Sequence, residues 1–199
     1  MKALLIVDIQ NDFLSGGALA VPGGNEVIPV ANRLQAQFEL VVATQDWHPA
    51  NHGSFAANHP CRSPGEIIDL NGLNQILWPV HCVQNTLGAA FAPGLDTRRF
   101  AAVFQKGTDP GIDSYSAFFD NGQRKATGLG DFLKARQVKE VFIAGLTTDY
   151  CVRFSALDAV TLGFRTHVFQ SGCRGVNLNA GDVRRAIEAM KSEGVQVSD

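Results

Sequence analysis

The sequence predicts an α/β protein: a doubly wound parallel sheet with helices on both faces. Three observations carry that expectation. Apolar runs without polar alternation recur at Ala3 to Val7, Leu40 to Thr44 and Val141 to Leu146, as in strands buried on both sides. Stretches with apolar residues at helical spacing lie between the strands. Most links are short, so each unit reads as a right-handed βαβ crossover. At 199 residues, 45% hydrophobic and 18% charged, the chain is long enough for one buried core and reads as one domain, 1–199.

Taken in order, Ala3 to Val7 is a strand that stops at Asp8. Glu26 to Phe38 is a helix with Val27, Val30, Ala31, Leu34 and Phe38 on its stripe and Asn25 as its cap. Leu40 to Thr44 is the second strand, running out at Gln45-Asp46, and Phe100 to Gln105 is the third, ending at Lys106-Gly107. Thr127 to Gln137 is a helix weakened by two glycines. Val141 to Leu146 is a strand, Asp149 to Leu162 a helix, and Arg165 to Gln170 a strand. Ala180 to Ser192 is the last helix, and Gly194 to Val197 begins a short final strand. Residues 45–99 break the alternation. That stretch is rich in Pro, Gly, Asn and His, and too long for a passive connection, so it is expected to carry function.

Composition excludes several classes. With 17 basic and 19 acidic residues, nothing points to nucleic acid or an anionic membrane. No apolar stretch approaches the roughly 18 residues of a membrane helix. The N-terminal apolar run meets Asp8 too soon for a signal peptide. Four cysteines without tight spacing, Cys61, Cys82, Cys151 and Cys173, describe no disulfide framework. The expected setting is a reducing one, the cytoplasm.

Ligand sites of open parallel sheets lie beyond the carboxyl ends of the strands. There the sequence places Asp8, Asp46, Lys106 and Cys151. Singly, each has an ordinary reading: a turn cap, a solvated lysine, a small core residue. Together they gather two acids, a cation and a thiol on one edge. Cys151 follows a strand in the first turn of a helix, where free N–H groups and the dipole favour thiolate. With no histidine at a strand end except in the neighbourhood of His81, Asp8 and Lys106 are the available pair to take its proton and hold its charge.

A second constellation begins at the second strand. In an extended chain Asp46 and His48 point to one side and can share an ion. His81, from the far side of the long loop, is the best third ligand. One carboxylate and two imidazoles make an open site suited to zinc, iron or manganese. Spacing alone makes this signal weak.

The motifs VDIQNDF at 7–13, DWHPANHGSF at 46–55, WPVHCVQNT at 78–86, FQKG ending in Lys106-Gly107, DSYSAFF at 113–119 and GLTTDYCV at 145–152 resemble bacterial nicotinamidases (pyrazinamidases) of the isochorismatase-like superfamily. The resemblance runs essentially end to end. It implies an isochorismatase-like, Rossmann-like three-layer fold. It also implies a cysteine amidase of NAD salvage that converts nicotinamide to nicotinate and ammonia, and pyrazinamide to pyrazinoate. Asp8, Lys106 and Cys151 match the triad, with the oxyanion on the backbone N–H groups of Thr147 and Cys151 and a cis Leu146–Thr147 bond. Asp46, His48 and His81 match the ligands of one divalent ion, and Phe13 and Trp78 match the aromatic walls around the ring, with Tyr115 nearby.

Three departures follow. Some relatives carry a further metal histidine where this chain has Ser54, which could act through its oxygen or a water. Thr147 stands where many have alanine, and relatives usually continue beyond the position of Asp199. His52, His59 and His167 have no part in the pattern and read as loop or surface residues. The rivals are a superfamily hydrolase for ureido, carbamoyl or vinyl-ether substrates, against which the metal set argues, and a dinucleotide-binding module, which lacks G-x-G-x-x-G after the first strand. The expected partner is a small amide, with the protein a monomer or homo-oligomer.

Overall fold

Alternate residues of the first strand divide between two cores, and that division sets the layers. In the computed structural model, which describes residues 1–199, the chain runs β1 (Lys2–Val7), α1 (Val27–Gln35), β2 (Leu40–Asp46), β3 (Ile67–Leu70), β4 (Leu73–Ile76), β5 (Phe100–Lys106), α2 (Leu129–Ala135), β6 (Glu140–Leu146), α3 (Arg153–Thr161), β7 (Arg165–Arg174), α4 (Asp182–Ser192) and β8 (Gln196–Ser198). Ala3, Leu5 and Val7 pack with Leu129, Leu133, Val152, Ala156 and Met190 on the α2–α3–α4 side. Leu4 and Ile6 pack with Val27, Ala31, Leu34 and residues of the long loop on the α1 side. A strand that feeds both faces must be apolar throughout, which is why it shows no alternation.

The main sheet has the order β5-β2-β1-β6-β7-β8, and every pairing in it is parallel. The chain first builds outward from β1 through β2 to β5, then returns to lay β6 against the other side of β1. The strand order therefore reverses between β1 and β6, and the crevice beyond their carboxyl ends is the expected ligand site. Asp8 follows β1 and Cys151 follows β6, so both flank that point. No helix is long and apolar enough to cross a membrane.

Several boundaries differ from expectation. β2 continues to Asp46 and β7 to Arg174. α1 is shorter than expected, and Asn25 does not cap it: its side-chain oxygen accepts the Ser15 N–H at 2.9 Å. The segment expected as one helix from Asp149 begins as a wide π-type turn at Thr148–Val152 before α3. The long loop holds an antiparallel hairpin, β3–β4, turned by Asn71 (φ 53°) and Gly72 (φ 85°). Asn-Gly with both φ positive matches the twist of a two-residue hairpin turn.

Candidate active site

Asp8 leaves β1 with φ 47°, a left-handed conformation that Asp tolerates better than most residues. Its carboxylate is fully buried; Oδ1 accepts the Thr44 hydroxyl at 2.7 Å and Oδ2 lies 2.9 Å from Lys106 Nζ. Burial raises its pKa to about 6, against the pull of Lys106 and with a further push from Asp46. Lys106, at the end of β5, is also buried; its ammonium bonds the Asp46 carboxylate, donates to the Ser114 carbonyl at 3.0 Å and lies 3.4 Å from Cys151 Sγ. Burial would discharge it, but Asp46 and Asp8 hold it firmly ammonium.

Burial also raises the Cys151 thiol well above its ordinary value, with Lys106 opposing and the two carboxylates adding to the rise. The resting sulfur is thus a thiol that needs a base. Carboxylate oxygens of Asp8 and Asp46 lie with Sγ inside one 4.8 Å cluster. The Leu146–Thr147 bond is cis, and the buried Thr147 N–H finds no acceptor within the protein. Asp149 fixes the turn by accepting from Val176 N (3.0 Å) and Asn177 N (2.7 Å).

The second constellation stands alongside. His48 Nδ1 meets the Gly107 carbonyl at 2.9 Å, and His81 Nδ1 meets the Pro79 carbonyl at 2.8 Å. A carbonyl only accepts, so each Nδ1 carries a proton, and in the neutral ring Nε2 keeps a lone pair. Burial would lower His48, but the Asp46 carboxylate holds it above its ordinary value. The two Nε2 nitrogens lie 3.7 and 3.9 Å from Asp46 Oδ2. The separations are too long for hydrogen bonds and near those of ligands sharing an ion at about 2.1 Å each. Burial, with His48 adding, lowers His81 to about 4, so it is neutral and ready to ligate. Burial would raise Asp46, but Lys106 and the imidazoles hold it well below the usual carboxylate range. Gly107 (φ 63°) packs close against His48; a Cβ there would clash with the imidazole ring.

The charges support the same fit. Asp8, Asp46 and Asp113 are buried around this region, and Lys106 is the buried ammonium among them. A divalent cation brings that set to neutrality, as buried charges require. The donor set therefore fits a divalent ion.

One pocket is lined by Cys151 together with Asp46, His48 and His81. Phe13, Trp78, Tyr115 and Thr147 also line it, so most of the expected site residues meet in one place, with Asp8 and Lys106 packed behind. Trp78 donates its indole N–H to the Tyr115 hydroxyl at 3.2 Å. The sequence reading missed Leu19, Asp113, Tyr150 and Val176 on the wall. Tyr150 and Asp113 lie within quoted motifs and were within reach; Leu19 and Val176 come from loops with no such signal.

Two expectations need correction. Ser54 does not line the pocket; its hydroxyl is 2.7 Å from His52 Nδ1. His52 is no surface residue: it is fully buried, its ring centroid 4.5 Å from that of His48. His59 and His167 are half-buried and take no part in the pocket.

The chain as a whole is similar to known proteins. The Isochorismatase domain profile matches residues 2–199. The chain belongs to the isochorismatase family. Among its members, the nicotinamidase of Escherichia coli is 52% identical over 199 residues, covering 97% of this chain and 92% of the relative. The nicotinamidase/pyrazinamidase of Acinetobacter baumanii superposes with a TM-score of 0.96 at 46% identity, covering 98% and 94% of the two chains. The pyrazinamidase of Pyrococcus horikoshii, solved in complex with zinc, gives 0.82 at 38% identity over 100% and 98%. The isochorismatase-family fold thus accounts for the parallel sheet and its helical faces.

Proposed function

We propose that this protein hydrolyses nicotinamide to nicotinate and ammonia, and pyrazinamide to pyrazinoate, through a thioester on Cys151. The observation that carries the reading is the single pocket in which Cys151 faces the open Asp46–His48–His81 set. A divalent ion held by those three residues, whether zinc, iron or manganese, supplies a Lewis acid for the pyridine nitrogen, directly or through water. Phe13 and Trp78 offer apolar faces to a flat ring.

Asp8 removes the Cys151 proton, and the Lys106 ammonium, 3.4 Å from the sulfur, stabilises the thiolate. The thiolate attacks the carboxamide carbon. The backbone N–H groups of Thr147 and Cys151 receive the oxyanion, fixed donors that need no reorganisation. Asp8 returns its proton to the amine, and ammonia leaves as the C–N bond breaks. Asp8 then takes a proton from water, whose oxygen attacks the thioester; the C–S bond breaks, Asp8 passes that proton to the departing sulfur, and the acid leaves as nicotinate, releasing its remaining proton to solvent. In this reading the chain is a single domain of the cytoplasm serving NAD salvage, as a monomer or homo-oligomer.

The test is ammonia release from nicotinamide, pyrazinamide and a carbamoyl substrate, with wild type and Cys151→Ala. Turnover of the first two and none by a folded Cys151→Ala protein is the expected result. Retained turnover in that variant overturns the thioester, and preference for the carbamoyl compound overturns the substrate.

A further inference from the structure

His52 and Asp113 stand beside the proposed cation site, and none of the steps above uses them. His52 Nδ1 accepts the Ser54 N–H at 3.1 Å and lies 2.7 Å from the Ser54 hydroxyl. A nitrogen that accepts a backbone N–H bears no proton, so the neutral ring carries its hydrogen on Nε2. That Nε2 is buried and makes no well-formed hydrogen bond in the protein, although the Ile112 carbonyl lies close to the ring. An orphaned buried donor marks a place for a bound polar atom.

Asp113 supplies the complement. It is buried; Oδ1 accepts the Ser114 N–H at 2.8 Å and Oδ2 the Gln75 amide at 3.0 Å, and it forms no ion pair. Each oxygen keeps acceptor capacity beyond its single donor. Ring nitrogens of His52 and His48 and a carboxylate oxygen of Asp113 lie within 4.8 Å of one another. A protonated Nε2 has no lone pair for a metal, so His52 is not itself a ligand. It is a donor close to an acceptor beside His48, and an oxygen that can accept from one and donate to the other is that of water.

We propose that His52 and Asp113 together hold one water ligand of the ion carried by Asp46, His48 and His81. This inference rests on the cation site proposed above. His52 donates to the water, Asp113 accepts from it, and the Asp113 charge faces the cation. Ser54 acts one step further out, by fixing the His52 tautomer. All three are positioning residues: they set how firmly the ion is held and how it is hydrated.

Manganese(II) is the probe. Its dissociation constant is measured by competition with a chelator, and its inner water by proton relaxation, in wild type, His52→Phe, His52→Gln and Asp113→Asn. A Gln amide restores an N–H near the place of Nε2, whereas Phe keeps only ring volume. His52→Phe and Asp113→Asn are expected to weaken binding by about 10–100-fold and alter relaxation per bound ion. His52→Gln is expected to recover most of the affinity.

Wild-type affinity and relaxation in both His52→Phe and Asp113→Asn would overturn the proposal. Equal weakening by Phe and Gln with relaxation unchanged would reduce His52 to packing, and overturns it too. Asp113→Asn preserves shape, so it carries the test if the His52 variants do not fold. A wild-type protein that binds no manganese overturns the cation site as well; wild-type binding with indifferent variants overturns this inference alone.

Discussion

The side-chain amide of Gln10 grips the backbone of Asp46 at both of its polar groups. Oε1 accepts the Asp46 N–H and Nε2 donates to the Asp46 carbonyl, each at 2.8 Å, and Nε2 also reaches the Ala89 carbonyl at 2.8 Å. The β1–β2 register ends at Ile6–Ala43, so β2 runs on to Asp46 without β1 beside it. Gln10 stands in for the missing strand. Gln10→Leu orphans these buried groups, and a loss of about 1–3 kcal/mol is expected. The check is a lower urea midpoint at unchanged m-value, together with weaker cation binding because Asp46 is no longer fixed.

Asp8 is the titrating base of the proposed reaction, and its pKa of about 6 sets the acid limb of kcat/KM. Activity is expected to fall as pH drops through that value, because protonated Asp8 cannot accept the thiol proton. The Thr44 hydroxyl stabilises the ionised carboxylate. In Thr44→Val that support is gone, so the pKa rises and the limb moves to higher pH by about one unit, the scale of one hydrogen bond to a charge. A limb that stays in place or moves down would remove Asp8 from the role of base.

The strand ends were legible because the rule that places ligands beyond parallel strands needs only strand boundaries and residue chemistry. Asp8, Asp46 and Lys106 fall at strand ends and Cys151 in the turn just past one, and the fold gathers them. The β3–β4 hairpin was legible in principle, since Asn71-Gly72 is a hairpin signal, but its strands are four residues long and half-exposed, so no periodicity drew attention to them. His52 was not legible. Its neighbours Pro49, Asn51 and Gly53 mark an exposed loop, whereas tertiary packing buries it against His48 and Phe55. Composition reports what a loop is made of and not what covers it.

Lys106 is the counter-charge for Asp8 and Asp46, so its removal tests stability as well as chemistry. Lys106→Met leaves two carboxylates buried without their cation, and breaking such a cluster costs about 3–5 kcal/mol. The variant is expected to lose that stability at neutral pH and regain part of it on acidification. The sign follows from Asp8: its folded pKa is raised above the unfolded value, so its protonated form favours the folded state and stability falls as pH rises toward about 6. Without Lys106 that window extends upward. Urea midpoints for both proteins at acidic and neutral pH measure the difference; a variant as stable as wild type at neutral pH would contradict the charge balance.

Cation removal is expected to act on both activity and stability. The buried carboxylates Asp46 and Asp113 stand near the neutral imidazole of His81, so the cation-free protein holds excess negative charge that the ion relieves. An ion that binds the folded state alone stabilises it by about 2.7 kcal/mol at a concentration 100 times its Kd. For a domain of this size that corresponds to a Tm higher by about 5–10 °C. Chelation is therefore expected to lower Tm and ammonia release together, and zinc, iron or manganese to restore both. Differential scanning calorimetry on the chelated and reloaded protein, beside the ammonia assay, makes the comparison. Full activity and an unchanged Tm in a protein shown to be free of metal would refute the cation site.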